Sequence, residues 1–126
     1  MDLSIVIVSW NVRELLRACL LPLGPDGERS PPSREVIVVD NASSDGSAEM
    51  VRTEFPQVRL IVNDANRGFP AANNQGLAAA SGRYVLLLNP DTAVQGGALT
   101  KMVAYADEHP DVGAIGPKLL DADGSV

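Results

Sequence analysis

Aromatic side chains make up only 4% of this 126-residue chain, so its core has to be assembled from Val, Leu, Ile and Ala, a set that favours layered packing of helices on a sheet. Cysteine occurs once, as Cys19, which excludes an internal disulfide and a cysteine-based zinc site; among Leu15, Leu16, Leu20 and Leu21 it reads as a buried thiol without a chemical role. Histidine also occurs once, as His109 just before Pro110, where it reads as a cation at a helix carboxyl end rather than a catalyst. Basic residues are outnumbered, 10 Lys and Arg against 16 Asp and Glu, for a net charge of −6. That balance argues against nucleic acid as a partner, because affinity for its backbone rests on clustered cations. No window approaches the ~18 apolar residues of a membrane span, and no basic leader precedes an apolar core. The expected location is therefore cytoplasmic, with peripheral contact at the inner face of a membrane left open. Internal repeats are missing, as are the Gly-x-Gly-x-x-Gly fingerprint and the Walker A loop, which disfavours simple NAD or ATP folds.

What the chain does have is an apolar run that stops at an acid. In Tyr84-Val85-Leu86-Leu87-Leu88-Asn89-Pro90-Asp91-Thr92, four consecutive aliphatics without alternation predict a central strand covered on both faces, and Pro90 marks its exit. Ligands of open α/β sheets bind at such exits. A carboxylate there, with a hydroxyl after it, has the chemistry to hold a divalent cation that borrows further oxygens from a phosphorylated substrate; the competing reading is that Asp91 and Thr92 form a turn and cap the next helix.

The rest of the chain repeats this plan. Leu3 to Val8 predicts a buried strand that ends in polar Ser9-Trp10-Asn11, and Asn11 with Glu14 resembles a capping box opening a helix to about Leu21, with Leu15, Leu16, Cys19 and Leu20 on its apolar face. Pro22 to Ser33 reads as an exposed connection. Val36 to Val39 predicts a strand delivering Asp40, followed by turn residues and a helix through Met50, Val51 and Phe55, which Asp45 either caps or leaves in order to contact a ligand. Val58 to Val62 predicts a third strand, with Ile61 facing opposite to Leu60 and Val62. Ala71 to Ser81 predicts a helix with Pro70 in its first turn and Gly82 as its cap. Thr100 to His109 predicts another helix, and Gly113 to Leu120 a last strand broken by Pro117. The order implies one α/β domain over residues 1–126, a parallel sheet wrapped by helices with Ser9, Asp40, Asn63 and Asp91 on one rim. The closing Asp121-Ala122-Asp123-Gly124 turn has nothing after it to pair with, so a continuation of the chain is expected.

Four pieces together resemble the donor-binding half of family 2 glycosyltransferases, the inverting enzymes of GT-A (Rossmann-like) fold, and especially their rhamnosyltransferase-like branch. They are Ser4 to Asn11, Val38 to Ser47, Asn66-Arg67-Gly68-Phe69 running on to Ala72-Asn73-Asn74-Gln75-Gly76, and Leu88 to Thr92; each is weak alone, and their order and spacing carry the likeness. The resemblance implies that Ser9, Trp10 and Asn11 line a nucleoside pocket, that Asp40 accepts a hydrogen bond from a pyrimidine ring, and that Asn66 to Asn74, with Gly68 between them, border the diphosphate and sugar. It further implies that Asp91 is the final acid of the family's Asp-x-Asp metal motif, holding Mg²⁺ or Mn²⁺, with Asn89 replacing the first acid. The implied partners are a UDP- or dTDP-linked sugar and a glycan or lipid-linked acceptor, in polysaccharide or cell-wall synthesis, with the catalytic base beyond Val126 and the acceptor half outside this chain. A nucleotide-binding module without transfer activity is the alternative. Chemistry supports the Asp40 role independently, since an imide N–H needs an acceptor and a carboxylate is a strong one. Two departures bear on metal and pocket: Asn89 loses a charge, and Pro70 stands where a small residue is common. The sequon Asn41-Ala42-Ser43 and the calcium-loop likeness of Asn41 to Gly46 carry no function here, the latter because Arg52 occupies the place of the bidentate acid. Phe69 is either a stacking surface for a ligand or a packing anchor.

Overall fold

Strand and helix alternate from Leu3 to Glu108: β1 Leu3–Ser9, α1 Arg13–Leu20 continued by a 3-10 turn at Leu21–Leu23, β2 Arg34–Asp40, α2 Ser47–Glu54, β3 Arg59–Val62, α3 Phe69–Ala79, β4 Tyr84–Leu88 and α4 Ala98–Glu108. The computed structural model describes residues 1–23, 32–95, 97–111 and 113–114. The connection expected from Pro22 to Ser33 and the strand expected from Gly113 to Leu120 lie largely outside these residues, as does the closing turn.

All strand pairings are parallel, in the order β3-β2-β1-β4. Ile5, Ile7 and Val38 face Leu16, Cys19, Leu20, Met50, Val51, Leu99 and Val103, so α1, α2 and α4 cover one side of the sheet. On the other side Ala72 of α3 meets Val8 and Val39, with Ile61 packed against them. The alternation of faces along each strand is the source of this three-layer arrangement. α3 can lie so close because Gly76 has no side chain: a Cβ there would stand 2.3 Å from Val6 Cγ1.

Several expectations are revised. The helix predicted from a capping box at Asn11 has Val12 as its cap residue and no side-chain capping bond; Asn11 instead adopts φ 52° and points its side chain at another loop. Leu15, placed on the apolar face, is 50% exposed. β4 was expected to be central and covered on both sides, yet among the described residues it is an edge strand whose Val85 and Leu87 are exposed, because α3 lies over β1 and β2. Gly82 does not cap α3, which ends at Ala79. Its lack of a side chain serves close approach, since a Cβ would fall 2.5 Å from the Ser4 nitrogen and 2.7 Å from the Leu3 carbonyl carbon.

Candidate functional site

The parallel ladder fixes which groups share the carboxyl rim. Ser9 is opposite Asp40, Asp40 is opposite Val62, and Leu88 lies beside Ile7, so Asn63, Asp40, Ser9 and the Asn89–Thr92 turn follow one another along one edge. The order also makes a switch point: the chain leaves β1 toward β2 and returns through α3 to place β4 on the other side of β1, which opens a crevice at the strand ends where ligands of such sheets bind.

Two of these groups are buried and unsatisfied. Asp40 is 1% exposed, as is Ser9. The Oδ2 atom of Asp40 accepts the Ser43 backbone N–H at 3.0 Å, while Asp40 Oδ1 and Ser9 Oγ have no hydrogen-bond partner among the described residues. A buried polar atom left in that state costs free energy unless a ligand completes it. Trp10, next to Ser9, is 54% exposed and offers a ring at the rim.

The loops leaving β1 and β2 are bound to each other. The Asn11 N–H donates to Ser43 Oγ at 2.9 Å, and Asn11 Oδ1 accepts the Ser44 N–H at 2.8 Å. Asp45 divides its carboxylate between two helices, Oδ2 accepting the Arg13 N–H at 2.9 Å and Oδ1 the Ser47 N–H at 3.0 Å. Asp45 therefore caps α2 as expected, and α1 as well. Burial opposes its charge, and hydrogen bonds from Ser47 and Arg13 outweigh it, holding its carboxyl below the ordinary value.

A second tie, unforeseen from sequence, shapes the loop before α3. Asn41, 3% exposed, donates through Nδ2 to the Gly68 carbonyl and accepts the Arg67 N–H at 2.9 Å. Asn63 donates to Asn41 Oδ1 and exchanges two 2.8 Å bonds with Gln75. These buried amides fix the segment Asn66-Arg67-Gly68, where Asn66 Oδ1 closes a short turn onto the Gly68 N–H. The burial of Asn41 closes its sequon to modification in the folded chain. Asn66 and Asn74 are exposed, and of the two adjacent asparagines on α3 it is Asn73 that turns inward. Phe69 is 54% exposed at the start of α3, so it is not a packing anchor.

Asn89 to Thr92 forms a tight turn, closed by the Thr92 N–H on the Asn89 carbonyl at 3.1 Å, with Pro90 and Asp91 in its two central positions as such turns favour. The capping alternative for Asp91 falls away, since α4 begins at Ala98 with Gly97 as its cap residue. Asp91 and Asn89 are exposed, and no hydrogen bond or ion pair engages the Asp91 carboxylate among the described residues. Cys19 supports the turn from below, its Sγ 3.9 Å from the Asn89 carbonyl; burial, then the charge of Asp91, pushes its thiol up to about 11. No group of three His, Cys, Asp or Glu that would hold a metal by itself occurs among the described residues. One carboxylate beside one amide oxygen suits instead a hard cation that takes its other ligands from phosphate and water.

His109 takes no part. It ends α4, with Nδ1 2.9 Å from the Tyr105 carbonyl and its ring stacked on Tyr105, as expected for a group at a helix carboxyl end. A cavity of about 360 Å³ lies between β4 and α4, lined by Leu86, Leu99, Met102 and Val103 among others, and holds none of the rim residues.

Comparison with known proteins agrees with this geometry. The model of "Glycosyl transferase family 2" matches residues 4–124. The succinoglycan biosynthesis protein ExoO of Rhizobium meliloti is 35% identical, over 84% of this chain and 30% of its own length. The N-acetylglucosaminyl-diphospho-decaprenol L-rhamnosyltransferase of Mycobacterium tuberculosis is 31% identical, over 98% of this chain and 43% of its own. Among solved structures, S. aureus TarS residues 1–349 in complex with UDP-GlcNAc superposes with a TM-score of 0.73 at 26% identity, covering 94% of this chain and 37% of that one. The chain thus spans less than half the length of the relatives it matches. With the fold, the rim and the matched span in agreement, the chain belongs to glycosyl transferase family 2.

Proposed function

We propose that this chain is the donor-binding part of an inverting glycosyltransferase that takes a pyrimidine nucleotide-sugar, UDP- or dTDP-linked, with Mg²⁺ or Mn²⁺. The observation that carries the reading is the buried, unpartnered Asp40 Oδ1 beside the unpartnered Ser9 Oγ. A carboxylate oxygen only accepts, so the missing group must donate, and the imide N–H of uracil or thymine is such a donor. Ser9, Trp10 and Asn11 would form the other wall of that pocket, the exposed Trp10 ring offering a surface for the base. Strands stand ~4.8 Å apart, so the ends of β2 and β4, which lead to Asp40 and Asp91, stand roughly 10 Å from each other along the rim. Asn66, Gly68 and Asn74 would border the diphosphate and sugar.

Asp91, with Asn89 beside it, would hold the cation, whose chemistry is to neutralise charge on the leaving diphosphate. The residues of this chain bind and orient the donor. Transfer also needs a base to deprotonate a glycan or lipid-linked acceptor. Asp40 and Asp91 are committed to holding the donor, and α4 carries His109 toward the opposite rim, where Asp107 meets Arg83. The chain spans less than half the length of the relatives it matches, and a donor-binding part by itself is expected to bind donor and transfer little.

Calorimetry with UDP, dTDP and ADP, each with Mn²⁺ or Mg²⁺, tests the reading. UDP and dTDP should bind more tightly than ADP, because adenine has no ring N–H in the imide position. Equal affinity for ADP would remove Asp40 from base recognition.

A further inference from the structure

We propose that Asp45 and Asn11 are positioning residues of the nucleoside pocket: the bonds they make between the two loops fix the Ser9–Trp10–Asn11 wall against the Asp40 wall. The proposal rests on the nucleotide-sugar reading above and names what gives its pocket a fixed shape.

The β1–β2 ladder ends at the pair Ser9 and Asp40, with one further bond from the Asn41 N–H to the Ser9 carbonyl. Beyond that point the two chains enter separate helices, and backbone pairing no longer relates them. Side chains take over. The bonds of Asn11 to Ser43 and Ser44 and of Arg13 to Asp45 all run from one loop to the other, and the Arg13 guanidinium adds a bond from Nη1 to the Asp45 carbonyl at 2.9 Å. Neither helix has a side-chain bond from its own cap residue, Val12 or Gly46. A single carboxylate serves an N–H at both helix starts, where the backbone dipoles also favour its charge.

The tie reaches the pocket through Ser43. Its hydroxyl accepts from the Asn11 N–H, and its own N–H donates to Asp40 Oδ2. The bond on Oδ2 orients the carboxylate and so directs the free Oδ1 atom. If Ser43 moves, the acceptor turns with it. Among the described residues the two non-glycine residues with positive φ, Asn11 at 52° and Ala42 at 67°, lie in these two loops. Conformations that L residues resist persist where surrounding bonds over-determine them.

Trp10 is the single tryptophan, so its fluorescence reports on this wall alone. We would measure acrylamide quenching of Trp10 in the free protein, then uridine and UDP affinity with and without Mn²⁺, for Asp45→Ala, Asp45→Asn and Asn11→Gly. Glycine accepts positive φ, so Asn11→Gly removes the Oδ1 tie to Ser44 without adding backbone strain, and leaves the backbone N–H bond to Ser43 in place. The expected result is faster quenching in all three, and a loss of about tenfold in uridine and UDP affinity alike for Asp45→Ala, as for a charge-assisted bond removed. Asp45→Asn, which keeps one acceptor oxygen, should fall between, and the Mn²⁺-dependent gain should be unchanged throughout. Wild-type quenching and wild-type affinity in folded variants would overturn the proposal. If the wild-type protein binds no UDP, the nucleotide reading fails, and the quenching data still decide whether the loops are tied through these residues.

Discussion

The two rims of this sheet are built from similar residue types and treated in opposite ways. At the amino rim the described polar side chains bond to one another and to the backbone. Asp2 bonds the Ser33 backbone and hydroxyl, and Ser4 Oγ accepts the Gly82 N–H at 2.8 Å while donating to Glu35. Glu35 takes the Ser81 N–H and hydroxyl, and Arg83 bridges Asp2 and Asp107 at 3.0 Å each. The exception is Arg34 Nε, whose neighbour Nη2 donates to Leu23 ahead of residues 24–31, which lie outside the described part. At the carboxyl rim, by contrast, the loops are tied firmly to one another and yet, among the described residues, leave the buried Ser9 Oγ and Asp40 Oδ1 and the exposed Asp91 carboxylate without hydrogen-bond partners. A rim closed on itself contributes stability, whereas a rim with rigid loops and open acceptors is ready for a ligand.

Substitutions should separate the two rims. The largest effect is expected from Gly82→Ala at the amino rim, where the added methyl meets backbone atoms 2.5 and 2.7 Å away that cannot step aside. It should cost about 3 kcal/mol of stability in denaturant unfolding and leave the UDP affinity of the folded fraction unchanged; loss of affinity without loss of stability would show that the amino rim reaches the site.

Asp91→Ala should do the reverse. Its carboxylate is exposed and caps nothing, so stability should stay within about 0.5 kcal/mol. The Mn²⁺ or Mg²⁺ dependence of UDP binding should disappear while uridine binds as before. Metal linkage that survives the substitution would take Asp91 out of the site.

The smallest effect is expected in acid. The Asp2 carboxyl is held below its ordinary value of 3.8 by a hydrogen bond from Arg83 and then by the Ser33 backbone, and Asp107 by Arg83 and Tyr84. Glu35 is also lowered from 4.5, because bonds from Ser4 and Ser81 outweigh the burial that opposes its charge. A depressed folded value means the contribution is complete above the unfolded value and is lost as pH falls through the folded one. Stability from this rim should therefore be complete well above about pH 4.5 and decline as pH falls, first through the Glu35 contribution and, below about 3.8, through those of Asp2 and Asp107 as well. Asp2→Asn should make that decline shallower, and an unchanged acid limb would show that Asp2 contributes nothing.

How far the sequence carried can be judged from particular residues. The strands announced themselves because runs such as Ile5 to Val8 and Val36 to Val39 suit only buried strands, and their polar ends put Ser9, Asp40 and Asp91 on one rim. Helix starts were less legible. Asn11 and Glu14 had the spacing of a capping box, yet the cap of α1 comes from Asp45, a residue brought close only by the fold. The same holds for Asn41, Asn63 and Gln75, whose amide ties join three segments that no local pattern connects. β4 misled for a different reason. Val85 and Leu87 are as apolar as a central strand requires, but what covers a face depends on which neighbours are present, and none of the described elements lies over them.

The most direct test of an open carboxyl rim is the UDP affinity of Asp40→Asn, measured by calorimetry beside a denaturant midpoint for the same protein. Ser43 needs an acceptor, so the asparagine oxygen should take the Oδ2 position and its amide should meet the imide N–H, donor against donor. Binding should weaken by about 1 to 3 kcal/mol, and the midpoint should hold, because a buried charge is removed while the unpartnered oxygen is replaced by an equally unpartnered NH2. A variant that loses stability and binds UDP as tightly as the wild type would make Asp40 structural and contradict the account.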